Sequence, residues 1–266
     1  MNTQKSFSII VPCLNEEKYI GKLLHTLAKQ TDQDFELFVV DGKSEDKTVE
    51  IINQYKTQLP QLTLIISDRR GVSYQRNLGA ASAQSEHLLF LDADSRLDAD
   101  YVKDFKEEQY KCAADIATAY IWPDSTNPLD WFFWLGGNLV IDLSRFTWPF
   151  APGMNLYLRK EIFDKAGGFD TEIKVGEDTD LVKRASAIGG KFVVLKKPKY
   201  FTDVRRLKTE GHFGYLVKLM LIAWQAHRRG GFENVSIEYR MGDWDDYERE
   251  KRSLFDRVKE VMIFWK

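Results

Sequence analysis

The chain has 266 residues, 44% hydrophobic and 29% charged, which is enough apolar material for one large domain or a domain with an appendage and too much for a disordered chain. A net charge of −2 argues against general nucleic-acid binding, so no nucleic-acid partner is expected. Cys13 and Cys112 form neither a metal-spaced cluster nor a disulfide framework, the first residues lack a signal-peptide pattern, and no apolar run approaches the ~20 residues of a membrane span; together these features predict a cytoplasmic location.

In chain order, Phe7–Val11 is a β-branched run that predicts a strand, and Glu16–Lys29 carries Ile20, Leu23, Leu24 and Leu27 at helical spacing. A second strand is predicted over Phe35–Val40, and a second helix over Ser44–Tyr55 with Ser44 as its cap. Leu62–Ile66, Val72–Gln84 and His87–Leu91 read as strand, helix and strand. Apolar runs without polar alternation, separated by helices, predict an α/β fold with a mainly parallel sheet covered on both faces.

The second half is less regular. Asp115–Ile121, Asn155–Leu158 and Phe192–Leu195 read as strands and Thr179–Ile188 as a helix. Residues 122–152 are rich in aromatics, reading either as a sugar- or lipid-stacking surface or as a short buried helix closing the core. Residues 196–230 carry nine Lys/Arg against Asp203 and Glu210. Leu254, Phe255, Val258, Val261, Met262 and Trp265 define one face of a C-terminal helix. That helix and Phe213–Trp224 suit either a membrane interface or packing on the domain or a second subunit.

In an open α/β sheet, ligands bind at the carboxyl ends of the strands. Three strand ends here are polar: Pro12-Cys13-Leu14-Asn15-Glu16, Val40-Asp41-Gly42-Lys43-Ser44 and Asp92-Ala93-Asp94. Acids after one strand can simply cap the next helix, but three such ends together favour one shared site. Carboxylates one residue apart repel and lose hydration, so a metal ion, an arginine or backbone amides must offset them. No dinucleotide or phosphate-loop glycine fingerprint is present.

The segments SIIVPCLNEEKYIGKLL, FELFVVDGKSEDKT, GVSYQRNLGAASAQSEHLLFLDADS and GGFDTEIKVGEDTDL, in that order, resemble glycosyltransferase family 2 over about residues 6–195. The resemblance implies a GT-A fold over residues 1–200, with a nucleotide-binding half to about 98, followed by C-terminal loop and helices over 201–266. It implies transfer of one sugar, with inversion, from a nucleotide-diphosphate donor in the presence of Mg²⁺ or Mn²⁺. A UDP-sugar is the first expectation and GDP-mannose the second. The acceptor class is open among lipid-linked carriers, saccharides and proteins. Carried over by position, Pro12, Asn15 and Glu16 would line the base and ribose pocket and Asp41 would accept from the base. Arg76 would face the nucleotide, Asp92 with Ala93 would meet the ribose or a metal-bound water, and Asp94 would hold the metal. Asp178, beside Glu177, would be the general base; helix capping is the plainer alternative for this pair. The QxxRW motif of processive synthases is absent, which speaks against long-chain polymer synthesis. Arg205 or Arg206 would clamp the diphosphate and His212 would complete the metal shell, the alternative being a solvated basic loop. Trp148 and Asn155 would line the acceptor side. His25, His87 and His227 read as helix or strand residues without partners and are assigned no chemistry.

Two rivals belong to other classes. A nucleotidyltransferase would need a Gly- and Lys/Arg-rich loop where PCLNEE stands, and a non-catalytic nucleotide-sugar-binding module need not keep both acidic pairs.

Overall fold

The N-terminal apolar run forms β1 (Phe7–Cys13), buried along its whole length. α1 (Ile20–Ala28) buries its four periodic leucine and isoleucine positions beneath it. The alternation continues through β2 (Phe35–Asp41), α2 (Thr48–Tyr55), β3 (Leu62–Ile66), α3 (Val72–Ser82) and β4 (His87–Leu91). The second half comprises β5 (Ser95–Leu97), α4 (Tyr101–Cys112), β6 (Ile116–Pro123), α5 (Pro128–Ser144), β7 (Asn155–Arg159), α6 (Lys160–Lys165), α7 (Glu177–Ala187), β8 (Phe192–Thr202), α8 (Arg205–Glu210) and α9 (His212–Arg229). These elements come from a computed structural model that describes residues 5–146 and 149–229, with Phe232 and Val235. The C-terminal helix face expected over residues 254–265 and the expected acceptor residue Trp148 lie outside the described residues.

The strands form one eight-stranded sheet in the order β3-β2-β1-β4-β7-β6-β8-β5. β1 runs parallel to β2 and β4, and β2 parallel to β3. β7 inserts antiparallel between β4 and β6, and β6 runs parallel to β8. Successive residues of β1 feed opposite faces, Ile9 and Val11 one core cluster and Ile10 the other, so both faces are covered as the unbroken apolar runs imply. Gly79 lets α3 lie directly on the sheet, since a Cβ there would meet the Ile10 side chain at 2.5 Å.

Among the boundaries that differ from expectation, the starts of α1 and α2 and the end of β8 have a visible cause. α1 begins at Ile20 rather than Glu16, and α2 at Thr48 rather than Ser44. The loops ahead of both helices are bonded to each other instead. Asn15 N–H donates to Ser44 Oγ at 2.9 Å, Glu45 N–H to Asn15 Oδ1 at 2.8 Å, and Lys47 N–H to a Glu17 carboxylate at 3.0 Å. Thr48 N–H is capped by Asp46. β8 runs to Thr202 rather than Leu195, because its far half gains a new antiparallel partner in β5, pairing Ser95 with Thr202 and Leu97 with Tyr200.

The aromatic stretch becomes α5, seventeen residues opened by Asn127, whose side chain accepts from Leu129 N–H, with Pro128 in the first turn. It is not the buried helix that was one of its two readings. It turns Asp130, Asn138, Asp142 and Ser144 inward and exposes much of its apolar surface.

Candidate active site

Because β2, β1 and β4 are adjacent and parallel, their carboxyl ends bring the three polar loops side by side. Asp41 is buried at the end of β2, where it accepts from the N–H and hydroxyl of Ser44 and from the Cys13 thiol. Burial and the Asp41 charge push the Cys13 thiol well above its ordinary value, so it stays protonated. Asn15 takes a left-handed conformation, φ 52°, which an asparagine tolerates and which aims its amide at the second loop. The first two loops thus form one rigid wall, with Pro12 inside β1 in register with Val40.

The two acids after β4 are each met by an arginine from a different part of the chain. Arg76, on α3, is buried and bridges Asp92 and Glu177 at 2.9 Å each, with its guanidinium over the Phe169 ring. Arg205, at the start of α8, donates to Asp94 at 2.9 Å and to both oxygens of Glu16 at 3.1 and 3.2 Å, and lies over the Tyr19 ring. The acids therefore tie four elements together: α7 and α3 through Asp92, and α8 and the β1–α1 loop through Asp94. Burial raises the Asp94 carboxyl, the Arg205 charge pulls it down, Asp92 raises it further and Arg206 lowers it slightly; the net result is a carboxyl pushed up to about 6. Burial likewise pushes Glu16 up to about 7 despite Arg205.

Glu177 and Asp178 open α7 after Gly176, whose φ of +81° is a left-handed turn that suits glycine. Asp178 accepts from the backbone N–H of Gly153 and Thr179, and Glu177 from Arg76. Burial raises both acids. The Asp178 charge raises Glu177 further, to about 7, while Arg76 pulls both down. A carboxylate positioned by two N–H groups, with its proton affinity raised by burial, is a stronger base than an exposed aspartate.

Other expected residues fall elsewhere. His212 Nε2 bonds Asp130 at 2.7 Å with its ring edge-on to Phe133, so α5 holds it. Asn155 is fully buried, its side-chain oxygen accepting from Tyr101 at 2.7 Å, and offers no surface to an acceptor. His87, part-buried at the start of β4 and expected to lack a partner, bonds the Tyr157 hydroxyl at 2.7 Å. Three residues of the site escaped sequence reasoning. Gly153 leaves room for the Arg76 guanidinium, which a Cβ there would approach to 2.8 Å, and Phe169 and Tyr19 floor the two arginines. Phe169 had a faint signal, lying in the Gly167-Gly168-Phe169-Asp170 run.

Among the described residues no group of three or more His, Cys, Asp or Glu is arranged to hold a metal ion. Asp92 and Asp94 supply two hard oxygen ligands, both with some solvent access. That set suits Mg²⁺ or Mn²⁺ sharing its remaining positions with phosphate oxygens and water, the usual arrangement when protein carboxylates are few. The residues therefore fit a metal–diphosphate.

The sequence profile of Glycosyl transferase family 2 matches residues 8–167. The chain belongs to this family. Within it, the chain is 28% identical over 206 residues to poly(ribitol-phosphate) beta-N-acetylglucosaminyltransferase TarS of Staphylococcus aureus, covering 75% of the chain and 36% of TarS. It is 27% identical to glycosyltransferase AglE of Haloferax volcanii, covering 68% of the chain and 62% of AglE. The chain thus spans about a third of the length of the first of these relatives. Its fold is GT-A, as in solved neighbours. S. aureus TarS in complex with UDP-GlcNAc matches with a TM-score of 0.62 at 21% identity, covering 95% of the chain and 72% of that structure. The mannosyltransferase PcManGT of Pyrobaculum calidifontis, in complex with GDP-Man and Mn²⁺, matches with a TM-score of 0.64 at 19% identity, covering 82% and 65%.

Proposed function

We propose that the chain is an inverting glycosyltransferase that moves a single sugar from a nucleotide-diphosphate donor to a hydroxyl on a glycan or lipid-linked acceptor. A UDP-sugar is the first choice of donor and a GDP-sugar the second. The reading is carried by one observation: Arg76 ties Asp92, at the expected diphosphate end, to Glu177, which stands next to the candidate base Asp178. Leaving-group chemistry and base chemistry are held by one buried guanidinium. The neighbours solved with UDP-GlcNAc and GDP-Man support the donor class.

Asp92 and Asp94 would hold Mg²⁺ or Mn²⁺, which when bound neutralises charge developing on the diphosphate. Arg205 and Arg206 bring further positive charge to the same side. In binding the donor, Arg205 exchanges its pairing with Glu16 and Asp94 for the phosphates. Asp178 accepts the proton of the acceptor hydroxyl as that oxygen attacks the anomeric carbon from the face opposite the departing diphosphate. For His212 to join a metal shell, its bond to Asp130 must first open.

The test is a thermal-shift titration of UDP, GDP, CDP and dTDP with and without Mn²⁺, followed by nucleotide release from the matching sugar donor. The expected result is a metal-dependent shift abolished by Asp94→Ala. Asp178→Asn should keep the shift and lose turnover by about 10²–10⁴. Pyrophosphate release would make the chain a nucleotidyltransferase, and binding without turnover would make it a binding module.

A further inference from the structure

α5 is amphipathic in the reversed sense. Its polar residues are its anchors: Asn138 donates to Ile121 C=O at 2.8 Å and accepts from Ile121 N–H at 2.9 Å, Asp142 pairs with Lys196 at 2.9 Å, and Asp130 holds His212 and Ser125. These bonds fix the rotation of the helix and turn Phe132, Leu135, Leu139, Leu143 and Phe146 to solvent at intervals of three and four residues. Phe132 and Phe146 are 77% and 72% exposed. α9 lies against the same helix through Phe133, which contacts both His212 and Tyr215. The sequence neighbours of those contact residues, Phe213 and Leu216, begin a second exposed stripe that continues through Met220 and Trp224. Single exposed apolar residues are ordinary, but an exposed stripe on each of two helices that touch at the first turn of α9 is not.

Both acids of α5 are buried, and α9 contains none. Arg228 lies over the Trp224 ring, and Arg145 lies over the Phe146 ring while also pairing with Asp142 at 3.3 Å; Lys218 of α9 pairs with Glu210 of α8. Among the described residues no helix is long and apolar enough to cross a membrane. Apolar faces bordered by cations and tryptophans, on helices too short or too polar to span, match the headgroup boundary of an anionic bilayer. We infer that the α5–α9 face docks this protein on the surface of an anionic lipid bilayer. The same α8–α9 unit carries Arg205, so docking would set the acidic site beside the lipid surface. The inference is independent of the reaction proposed above.

The experiment is co-sedimentation of the full chain with phosphatidylcholine vesicles, with and without about 30% phosphatidylglycerol. Binding should be strongest on the anionic vesicles, weaken with salt, and fall by at least about tenfold in Phe132→Ser/Leu139→Ser/Met220→Ser, because three inserted apolar groups are removed. The triple variant should keep its thermal midpoint and its response to nucleotide, so a loss of binding is not a loss of fold or of donor site. If it fails to fold, brominated lipids on the unmodified chain decide instead. They should quench its tryptophan fluorescence, and Trp131→Phe/Trp224→Phe should remove most of that quenching. Absence of vesicle binding by the full chain overturns the inference, whether light scattering then finds a dimer using this face or a monomer in which residues 230–266 cover it.

Discussion

Arg76, itself buried, compensates two carboxylates, the buried Glu177 and the part-exposed Asp92. Removing one partner from such a buried arrangement leaves charge without compensation, so Arg76→Ala should lose about 3–5 kcal/mol of stability in urea unfolding. Neutralising its deepest partner should return part of that loss, with Arg76→Ala/Glu177→Gln more stable than Arg76→Ala alone. The same residues make stability depend on pH. Glu177 and Glu16 each hold their proton up to about 7, against an ordinary 4.5. Between those values the native state binds more protons than the unfolded chain, so stability falls as pH rises through that window and levels off above it. Thermal midpoints measured across this range should show the decline, and Glu177→Gln should make it shallower.

At the scale of elements, a strand or helix is held where its least replaceable contact sits. Asn138 satisfies both backbone groups of Ile121, which have no other way to pair across to α5. Asn138→Leu strands a buried N–H and a buried C=O and should cost about 2–5 kcal/mol, read from chemical denaturation. Gly79 has a comparable role for α3. A helix interior ordinarily loses about 1 kcal/mol to a glycine, and here the loss is offset by contact with β1. Gly79→Leu should push α3 off Ile10 and lower the thermal midpoint by several degrees, more than helix propensity alone would raise it. Elements were legible wherever periodicity acted alone: the buried face of α1 and the runs of β1, β2 and β4 fall as the sequence implies. The starts of α1 and α2 were not, because Asn15, Glu17, Ser44 and Asp46 pair between loops nearly thirty residues apart.

For the molecule as a whole, ligand binding and stability are linked. UDP with Mn²⁺ at about a hundred times its dissociation constant should add ~2.7 kcal/mol, or roughly 5–10 °C in thermal midpoint for a chain of this size. Chelation with EDTA should remove most of that gain while leaving the ligand-free midpoint unchanged, since Arg76 and Arg205 already compensate the acids without metal. A chain whose ligand-free midpoint collapsed on chelation would instead need the metal as a structural part.

The sequence alone determined the α/β alternation, the family and the acids at three strand ends, because these are written in local periodicity and in contiguous motifs. It also indicated that something positive must face Asp92 and Asp94, since like charges one residue apart require it. Which groups do so was decided only in three dimensions. Arg76 lies 16 residues from Asp92 and 101 from Glu177, and Arg205 lies 111 from Asp94 and 189 from Glu16. Nothing local in the chain encodes those pairings. The outward apolar face of α5 was hidden for the same reason: a helix apolar on most sides has no preferred rotation of its own, and Asn138, Asp142 and Asp130 choose one only when β6, β8 and α9 supply their partners.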